Sequence, residues 1–237
     1  DLEFIAGRNG NNAFPSGLSW SQPVTVRAAP GATVTLTPLA KTDVFVAFVG
    51  PQYQYIVLEG FVIDGKHLVG AAVIIGAGAH HIRLQNSEVK NANSHGINVT
   101  PGARAAGDTW GCCNEFIDID VHDNGLSARN QHGMYVATSN NLIERSRVHR
   151  NGGYGVHIYS AFGGVNKNIV RSSDVYDNNV AGNAGGMILA SGSGHRVYNN
   201  LIWNNASGII VRSSGALVQN NTIVNNKKYV AGTDNIG

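Results

Sequence analysis

The chain has 237 residues, enough for one domain with a substantial hydrophobic core. Charged residues make up only 14% of it, the formal net charge is +2, and neither a basic tract nor an acidic tail is present. This balance argues against nucleic acid and anionic membrane as partners. Glycine interrupts the longest apolar stretches within a few residues, so the sequence predicts no membrane span.

Residues 1–54 are predicted to form the irregular opening turns of a larger repeating structure and to cap its exposed end. The segment PVTVRAAPGATVTLTP holds two short stretches of alternating apolar residues, separated by a turn that contains Pro30 and Gly31. This pattern predicts two short strands. The chain starts abruptly with DLEF, which we interpret as a mature or trimmed end.

Residues 55–226 repeat one pattern, which is most regular in NEFIDIDVHDN and NLIERSRVHRN. In each copy, alternating apolar residues lead to one aligned aliphatic residue, and successive copies are most often 27 residues apart. The aligned residues are Ile63, Val89, Val121, Val148, Val175, Ile202 and Ile223. A repeat of this length indicates stacked supersecondary units. It predicts an all-β, single-domain right-handed parallel β-helix over residues 1–237, with about eight rungs, each rung being one turn of the coil.

An asparagine stands three residues after the aligned position in the later copies. These residues are Asn124, Asn151, Asn178, Asn205 and Asn226. Asparagine tolerates the left-handed backbone of a sharp turn, and stacked amides can hydrogen-bond from rung to rung, so we expect both features in this column. The tail at residues 227–237 is expected either to fold over the last rung or to lead into further chain.

A glycine begins the next strand of each copy, after a turn of variable length. These glycines are Gly70, Gly96, Gly133, Gly155, Gly186 and Gly208. Insertions lengthen this turn at residues 125–131 and at about 179–184, and a longer one, at 100–113, leaves the same strand one rung earlier. Insertions gathered around one strand column usually mark the binding face of a repeat scaffold.

The two cysteines, Cys112 and Cys113, are adjacent within the longest insertion. Because neighbouring cysteines can close only a strained ring, we expect two free thiols, with a labile vicinal disulfide as the alternative. The chain has no CxxC pair and no histidines at zinc-finger spacing, so no structural metal site is predicted.

Alternation along the strand after each glycine separates core positions from solvent positions. The predicted inward residues are Ile97, Val99, Met134, Val136, Val156, Ile158, Met187, Leu189, Ile209 and Val211. The outward residues of three consecutive rungs are His95, Asn98, His132, Tyr135, Tyr154, His157 and Tyr159. One interpretation is an ordinary strand face, which suits His and Tyr. The other is a functional patch, since the insertions surround these three rungs.

A second outward column carries Asp118, Asp120 and His122. The D-x-D-x-H run would place two carboxylates and an imidazole on one face, as an acid/base pair or a calcium site requires. The same acids could instead form ion pairs between rungs, such as Asp120 with Arg147 and Arg147 with Asp174. Calcium is therefore a possible cofactor, and no other cofactor is predicted.

The segments NNLIERSRVHRNGGYGVHIY and HRVYNNLIWNNASGIIV resemble the parallel β-helix repeat family, within the pectate-lyase-like superfamily that includes alginate lyases and mannuronan C5-epimerases. The QHGMYV step at 131–136 is similar to the histidine-containing strand of the epimerase-like members. This resemblance implies a secreted protein that acts on an acidic polysaccharide by lysis, epimerisation or hydrolysis.

The favoured hypothesis is a lyase or epimerase acting on polymers that contain uronic acids. Abstraction of a proton next to a uronate carboxylate needs a cation, a base and an acid. Arg129 is predicted to hold the carboxylate, His132 to be the base because imidazole titrates near neutrality, and Tyr135 to be the acid. His157 is the alternative base. The residues predicted to bind sugar are His95, Asn98, Tyr154, His157 and Tyr159, and the widest groove is expected over this column.

Two other classes of function remain open. A glycoside hydrolase would use Asp118, Asp120 or Asp123 as its carboxylates. A non-catalytic module would bind glycan or take part in a surface assembly. The sequence names neither the polysaccharide nor the oligomeric state.

Overall fold

The computed structural model describes residues 15–39, 41, 44–101, 111–128, 130–161, 163–182, 184–227 and 230–232. These residues form 24 β-strands, and the chain visits three parallel sheets in the same order in every turn. Three sheets of eight strands make a right-handed parallel β-helix of eight rungs, which confirms the fold predicted from the repeat. The described residues include no helix that is long and apolar enough to cross a bilayer.

Each sheet receives one strand from every rung. The first sheet contains β1 (Val24–Arg27), β4 (Gln54–Glu59), β7 (His80–Gln85), β10 (Glu115–Ile117), β13 (Leu142–Glu144), β16 (Ile169–Arg171), β19 (Arg196–Tyr198) and β22 (Leu217–Gln219). The second sheet contains β2 (Val34–Leu36), β5 (Phe61–Asp64), β8 (Glu88–Lys90), β11 (Asp120–His122), β14 (Arg147–His149), β17 (Asp174–Tyr176), β20 (Leu201–Trp203) and β23 (Thr222–Val224). The third sheet contains β3 (Val44–Val49), β6 (Ala71–Gly76), β9 (Ile97–Val99), β12 (Met134–Val136), β15 (Val156–Ile158), β18 (Met187–Leu189), β21 (Ile209–Val211) and β24 (Val230–Gly232).

The two ends of the described chain belong to the same coil. The predicted opening strands are present as β1 and β2, and they pair in parallel with β4 and β5 of the next rung. At the other end, β24 lies within the predicted tail and pairs in parallel with β21. Residues 1–14 and 233–237 lie outside the described residues.

The aligned aliphatic residues form one column of the hydrophobic core. Val121 pairs with Val89 on one side and with Val148 on the other, and this register continues along the second sheet. All ten predicted inward residues of the third sheet are buried. Each apolar side chain therefore lies over its equivalent in the next rung, and apolar burial continues without a break along the coil.

The asparagine column forms a buried hydrogen-bond ladder. Asn124 Nδ2 donates to Asn151 Oδ1 at 3.1 Å, and Asn151 Nδ2 donates to Asn178 Oδ1 at 3.0 Å. The expected left-handed backbone at these asparagines is wrong, because the residue before each of them adopts it, with φ of 55° at Asp123 and 49° at Arg150. The chain bends one residue earlier than expected, and the amide that follows turns into the coil.

Two further ladders, which were not predicted from the sequence, hold the other corners of the coil. In both of these ladders, backbone N–H groups donate to a side chain one rung away. One ladder consists of Asn114, Asn141, Asn168 and His195. The other consists of Ser146, Ser173, Asn200 and Asn221. These side chains satisfy backbone groups that the bends leave without a strand partner.

The glycine column is a consequence of the asparagine ladder. A Cβ added at Gly133 would lie 2.7 Å from Asn151 Nδ2 and 2.8 Å from the carbonyl oxygen of Gly155. The same amide contact of 2.7 Å would arise at Gly155, from Asn178. Glycine is therefore required at the start of these third-sheet strands by close approach of the ladder.

The run at 114–124 forms two strands, which corrects its interpretation as one outward column. β10 ends at Ile117 and β11 begins at Asp120, because Asp118 between them has a φ of 53° and bends the chain. Asp118 therefore lies at the corner between the first and second sheets, while Asp120 lies on the second sheet.

Candidate functional site

Six imidazole and phenol side chains contact one another on the outward face of the third sheet, over β9, β12 and β15. We call this group the imidazole cluster; it consists of His95, His132, Tyr135, Tyr154, His157 and Tyr159. Tyr135 and His157 are register partners on adjacent strands. The structure therefore brings together side chains that the sequence placed on three separate rungs.

His132 lies at the centre of the imidazole cluster. Its ring centroid is 4.5 Å from that of His157, 5.2 Å from that of His95 and 5.6 Å from that of Tyr154. Only 4% of His132 is exposed, so its prediction as a solvent-facing side chain is wrong. The surrounding rings cover it, whereas Tyr135 and His157 remain partly exposed.

Three hydrogen bonds together fix the tautomers of the three imidazoles. The backbone N–H of Tyr154 donates to His132 Nδ1 at 3.0 Å, so His132 carries its proton on Nε2. That Nε2–H donates to His157 Nδ1 at 2.8 Å, so His157 also carries its proton on Nε2. His95 Nδ1 accepts the backbone N–H of His132 at 3.0 Å. His95 and His157 each retain an Nε2–H donor, and the lone pairs of all three rings are occupied.

Burial keeps these imidazoles uncharged at neutral pH. Loss of hydration lowers the pKa of His95 to about 4, and the pKa of His157 falls to about 4 through burial and the nearby His95. For His132, burial first and then the neighbouring imidazoles lower the pKa to about 2. The expectation that His132 titrates near neutrality is therefore wrong, since a second proton on this buried ring would lack both hydration and an acceptor.

Two tyrosines of the cluster, Tyr135 and Tyr154, have a raised pKa and are protonated phenols. Burial raises the pKa of Tyr135, and the nearby Tyr159 adds to this effect. Burial also raises the pKa of Tyr154, against the opposing charge of Arg212. Arg212 directly follows β21 in the same outward column, and this position is the sequence signal that could have indicated its role.

Other predicted parts of this site are described only in part. Asn98 is the register partner of Tyr135, and its Oδ1 is buried without a hydrogen-bond partner among the described residues. Arg129 and residues 102–110 of the longest insertion lie outside the described residues. The prediction that the widest groove covers the cluster therefore stays a prediction.

The alternative carboxylates form ion pairs from rung to rung. The pairs are Asp118 with Arg145 at 2.8 Å, Asp120 with Arg147 at 2.6 Å and Asp123 with Arg150 at 2.7 Å. The predicted pair between Asp120 and Arg147 is thus present. Arg147 and Asp174 are register partners, but the described structure contains no ion pair between them.

Neighbouring side chains lower the pKa of two of these carboxyl groups, those of Asp120 and Asp123. Although burial opposes it, hydrogen bonding from His149 and the charge of Arg147 hold the pKa of Asp120 below its usual value. Arg150 and His122 do the same for the pKa of Asp123. Carboxylates that are already paired with cations are poor proton donors and poor calcium ligands.

A groove of about 700 Å³ runs over the corner between the first and second sheets. Glu88, Asp118, Asp120 and Asp174 contribute to its lining, together with Phe61. Burial raises the pKa of Asp174, so this carboxyl differs from Asp120 in the same groove. This groove lies on a different face of the coil from the imidazole cluster.

A stack of rings follows the second sheet beside this groove. The centroid distances are 4.9 Å from His122 to His149, 4.5 Å from His149 to Tyr176 and 4.2 Å from Tyr176 to Trp203, with the ring planes nearly parallel. The two inner rings, those of His149 and Tyr176, each stack on a neighbouring ring with both faces. Neither ring therefore has a free face to stack on a sugar. This column therefore stabilises the coil in the manner of a cross-strand ladder.

Cys112 and Cys113 form a disulfide, which corrects the expectation of two free thiols. Cys113 adopts a left-handed backbone with φ of 61°. The N–H of His81 donates to the carbonyl oxygen of Cys112 at 3.1 Å, and the N–H of Cys113 donates to that of Ser139 at 3.1 Å. The coil thus holds both residues in place, with their side chains close enough to join.

The sequence matches the family described as the right handed beta helix region over residues 106–235, more than half of the chain. The chain belongs to this family. No curated protein matches this β-helix protein at a significant level.

Several solved structures have a similar fold. The A-module of the Azotobacter vinelandii mannuronan C-5 epimerase AlgE4 superposes with a TM-score of 0.68 and 16% identity, over 90% of this chain and 58% of the module. The alginate lyase of Paenibacillus sp. str. FPU-7 gives 0.60 and 14%, over 90% of this chain and 84% of the lyase. ORF18 of Geobacillus virus E2 gives 0.55 and 16%, over 84% of this chain and 48% of the viral protein. At these identities the similarity establishes the fold, and the chain spans little more than half of the epimerase module.

Proposed function

We propose that this β-helix protein is a secreted carbohydrate-active enzyme, a lyase or epimerase that acts on polysaccharides containing uronic acids. The observation that carries the proposal is the imidazole cluster, in which three imidazoles and three phenols meet on one strand face. Two proteins with a similar fold are a mannuronan epimerase and an alginate lyase, which supports the same class of substrate. The disulfide is compatible with an oxidising extracellular compartment.

The cluster suits recognition of a carboxylate. His95 and His157 each retain an Nε2–H donor, and Arg212 supplies a positive charge close to Tyr154. Carboxylate oxygens accept hydrogen bonds from such donors, and the same donors stabilise the charge that develops when the neighbouring carbon loses its proton. Arg129 is proposed to add a second cation from the inserted turn.

Of the two candidate bases, His157 suits the role better than His132. His132 is 4% exposed and is held through both ring nitrogens, whereas His157 is partly exposed and is held through Nδ1. If substrate binding opens the hydrogen bond between them, the His157 ring can turn a lone pair outward while His132 stays attached to the Tyr154 backbone. Tyr135, whose ring centroid lies 5.3 Å from that of His157, is the proton donor because burial keeps its phenol protonated.

The test is a screen of the purified protein against uronate polymers such as alginate and pectate, with neutral polysaccharides as controls. A lyase raises the near-ultraviolet absorbance through the unsaturated product, and an epimerase changes the uronate composition seen by proton NMR without cutting the chain. If a correctly folded sample changes neither the absorbance nor the composition of any uronate polymer, the result would contradict the proposal. The variant His157→Ala serves as the matched inactive control.

Glycoside hydrolysis is the second candidate, favoured by the groove on the other face. In that groove, hydrogen bonding from His149 and the charge of Arg147 lower the pKa of Asp120 against the effect of burial, while burial raises the pKa of Asp174. Such a divergence is typical of a base and acid pair. Hydrolysis would release reducing ends without an unsaturated product. Loss of that activity in Asp174→Asn, with no effect of His157→Ala, would favour this candidate over the first.

A further inference from the structure

A second group of ligand atoms lies away from the imidazole cluster, at the start of two neighbouring strands of the first sheet. A ring nitrogen of His81 and the sulfurs of Cys112 and Cys113 lie within 4.8 Å of one another. His81 is the second residue of β7, and the cysteines lie just before β10, which pairs with β7. All three residues are partly exposed, so an ion can reach them from solvent.

The backbone holds these residues together independently of the disulfide. Cys112 accepts a hydrogen bond from the N–H of His81, and Cys113 donates one to Ser139, each at 3.1 Å. A disulfide between adjacent residues encloses no intervening chain, so it restricts the unfolded state very little. Reduction is therefore expected to leave the coil folded and both sulfurs near His81. Partial exposure allows thiol–disulfide exchange to occur.

We propose that, when this disulfide is reduced, Cys112, Cys113 and His81 bind one thiophilic metal ion such as Zn²⁺. Two thiolates and one imidazole are ligands that zinc prefers, and a three-residue set leaves a fourth position open to water. A dithiol reductant transfers two electrons and two protons to the disulfide and itself becomes a disulfide. Metal binding then releases both thiol protons.

The surroundings of His81 hold its ring in place. His81 Nδ1 lies 2.7 Å from His80 Nδ1, which leaves Nε2 of His81 as the ring nitrogen available to an ion. The ring stacks on Tyr55 with centroids 4.5 Å apart. Burial, followed by the nearby His80, lowers the pKa of His81, while Glu115 opposes this shift. An imidazole fixed through its second nitrogen is the usual arrangement of a metal-binding histidine.

The test is an anaerobic titration with Co²⁺ of the whole protein after reduction with dithiothreitol and removal of the reductant. We expect a thiolate-to-cobalt charge-transfer band that saturates at one equivalent and disappears when Zn²⁺ displaces the cobalt. The oxidised protein should show no such band. Cys112→Ser and Cys113→Ser should each lose or greatly weaken it, and circular dichroism should show that both variants keep the β-helix.

The contribution of His81 has a matched control. His81→Asn suits the left-handed backbone, where φ is 53°, and should weaken cobalt binding by at least about tenfold. His67 is exposed and also left-handed, with φ of 56°, so His67→Asn should bind cobalt like the original protein. The absence of a thiolate band from the folded, reduced protein would overturn the proposal. Equal affinities of His81→Asn and His67→Asn would also overturn it.

Discussion

Nε2 of His132 lies 2.8 Å from Nδ1 of His157. Because His132 Nδ1 already accepts the backbone N–H of Tyr154, the proton between the two imidazoles belongs to His132. In this hydrogen bond His132 is the donor and His157 is the acceptor. His157 therefore carries its own proton on Nε2. For an imidazole on this face to act as a base, the hydrogen bond between His132 and His157 must open. His157 is the residue that can move.

Replacement of His157 by Ala should lower turnover of the uronate substrate by about 10²–10⁴-fold, the usual cost of losing a general base. Tyr135→Phe should cause a loss in the same range because it removes the proton donor. Initial rates at saturating substrate measure both effects. His122→Ala is the control, since that imidazole lies on the second sheet, and it should keep its turnover. Full activity in both cluster variants would show that the patch is only a strand face.

His132→Ala should differ from His157→Ala by lowering stability as well as turnover. It removes the acceptor of the Tyr154 N–H and leaves that group without a partner, which costs roughly 1–3 kcal/mol. Urea unfolding of the two variants, followed by circular dichroism, compares them directly. If His132→Ala loses turnover with an unchanged free energy of unfolding, His132 acts on the substrate itself.

The stability of the protein should fall as the pH is lowered from about 6.5 towards 4. The folded-state pKa values of His95 and His157 are lowered to about 4 from the ordinary 6.5, so in this window the unfolded chain binds more protons than the folded one. The free energy of unfolding then rises with pH, and this contribution is fully present above 6.5. Urea unfolding across pH 4–8 measures it. His95→Gln should flatten the dependence, and an identical slope in that variant would contradict this origin.

Asn151→Ala should destabilise the coil strongly. Asn151 Oδ1 accepts both the N–H and the Nδ2 of Asn124, and its own Nδ2 donates to Val121 and Asn178. Each buried group left unpaired costs roughly 1–3 kcal/mol. The exposed Asn130 is the matched control, and Asn130→Ala should change the free energy of unfolding by less than about 0.5 kcal/mol. Similar urea midpoints for the two variants would argue against the ladder.

Gly133→Ala should cost about 1–3 kcal/mol, because the new methyl group would meet Asn151 Nδ2 and the carbonyl oxygen of Gly155. The comparison variant is Gly163→Asn, at a position with φ of 76° and no atom within 4 Å of an added Cβ. Asparagine tolerates that backbone, so this change should be close to neutral. Thermal unfolding of both variants checks the difference, and a neutral Gly133→Ala would show that the ladder can shift.

The sequence by itself determined the coil, its eight rungs and its core. The column from Ile63 to Ile223 lies in register, and the alternation through Met134 and Val136 places the apolar residues inside. These features are predictable because a stacked coil places equivalent positions of successive copies over one another. Spacing along the chain then becomes spacing along the coil axis.

Tertiary structure alone decided the chemistry of the outward face. His132 loses its exposure and its basicity through rings and a backbone N–H of neighbouring rungs, and Asp120 acquires its low pKa through His149 and Arg147. The disulfide of Cys112 and Cys113 likewise depends on how the coil holds their backbone. The burial, the tautomers and the pKa values of these side chains are set by contacts between residues that are not equivalent in successive copies of the repeat. Insertions of unequal length separate these residues along the chain. The sequence pattern therefore located these side chains on one face, but their protonation and partners follow only from the distances between rungs.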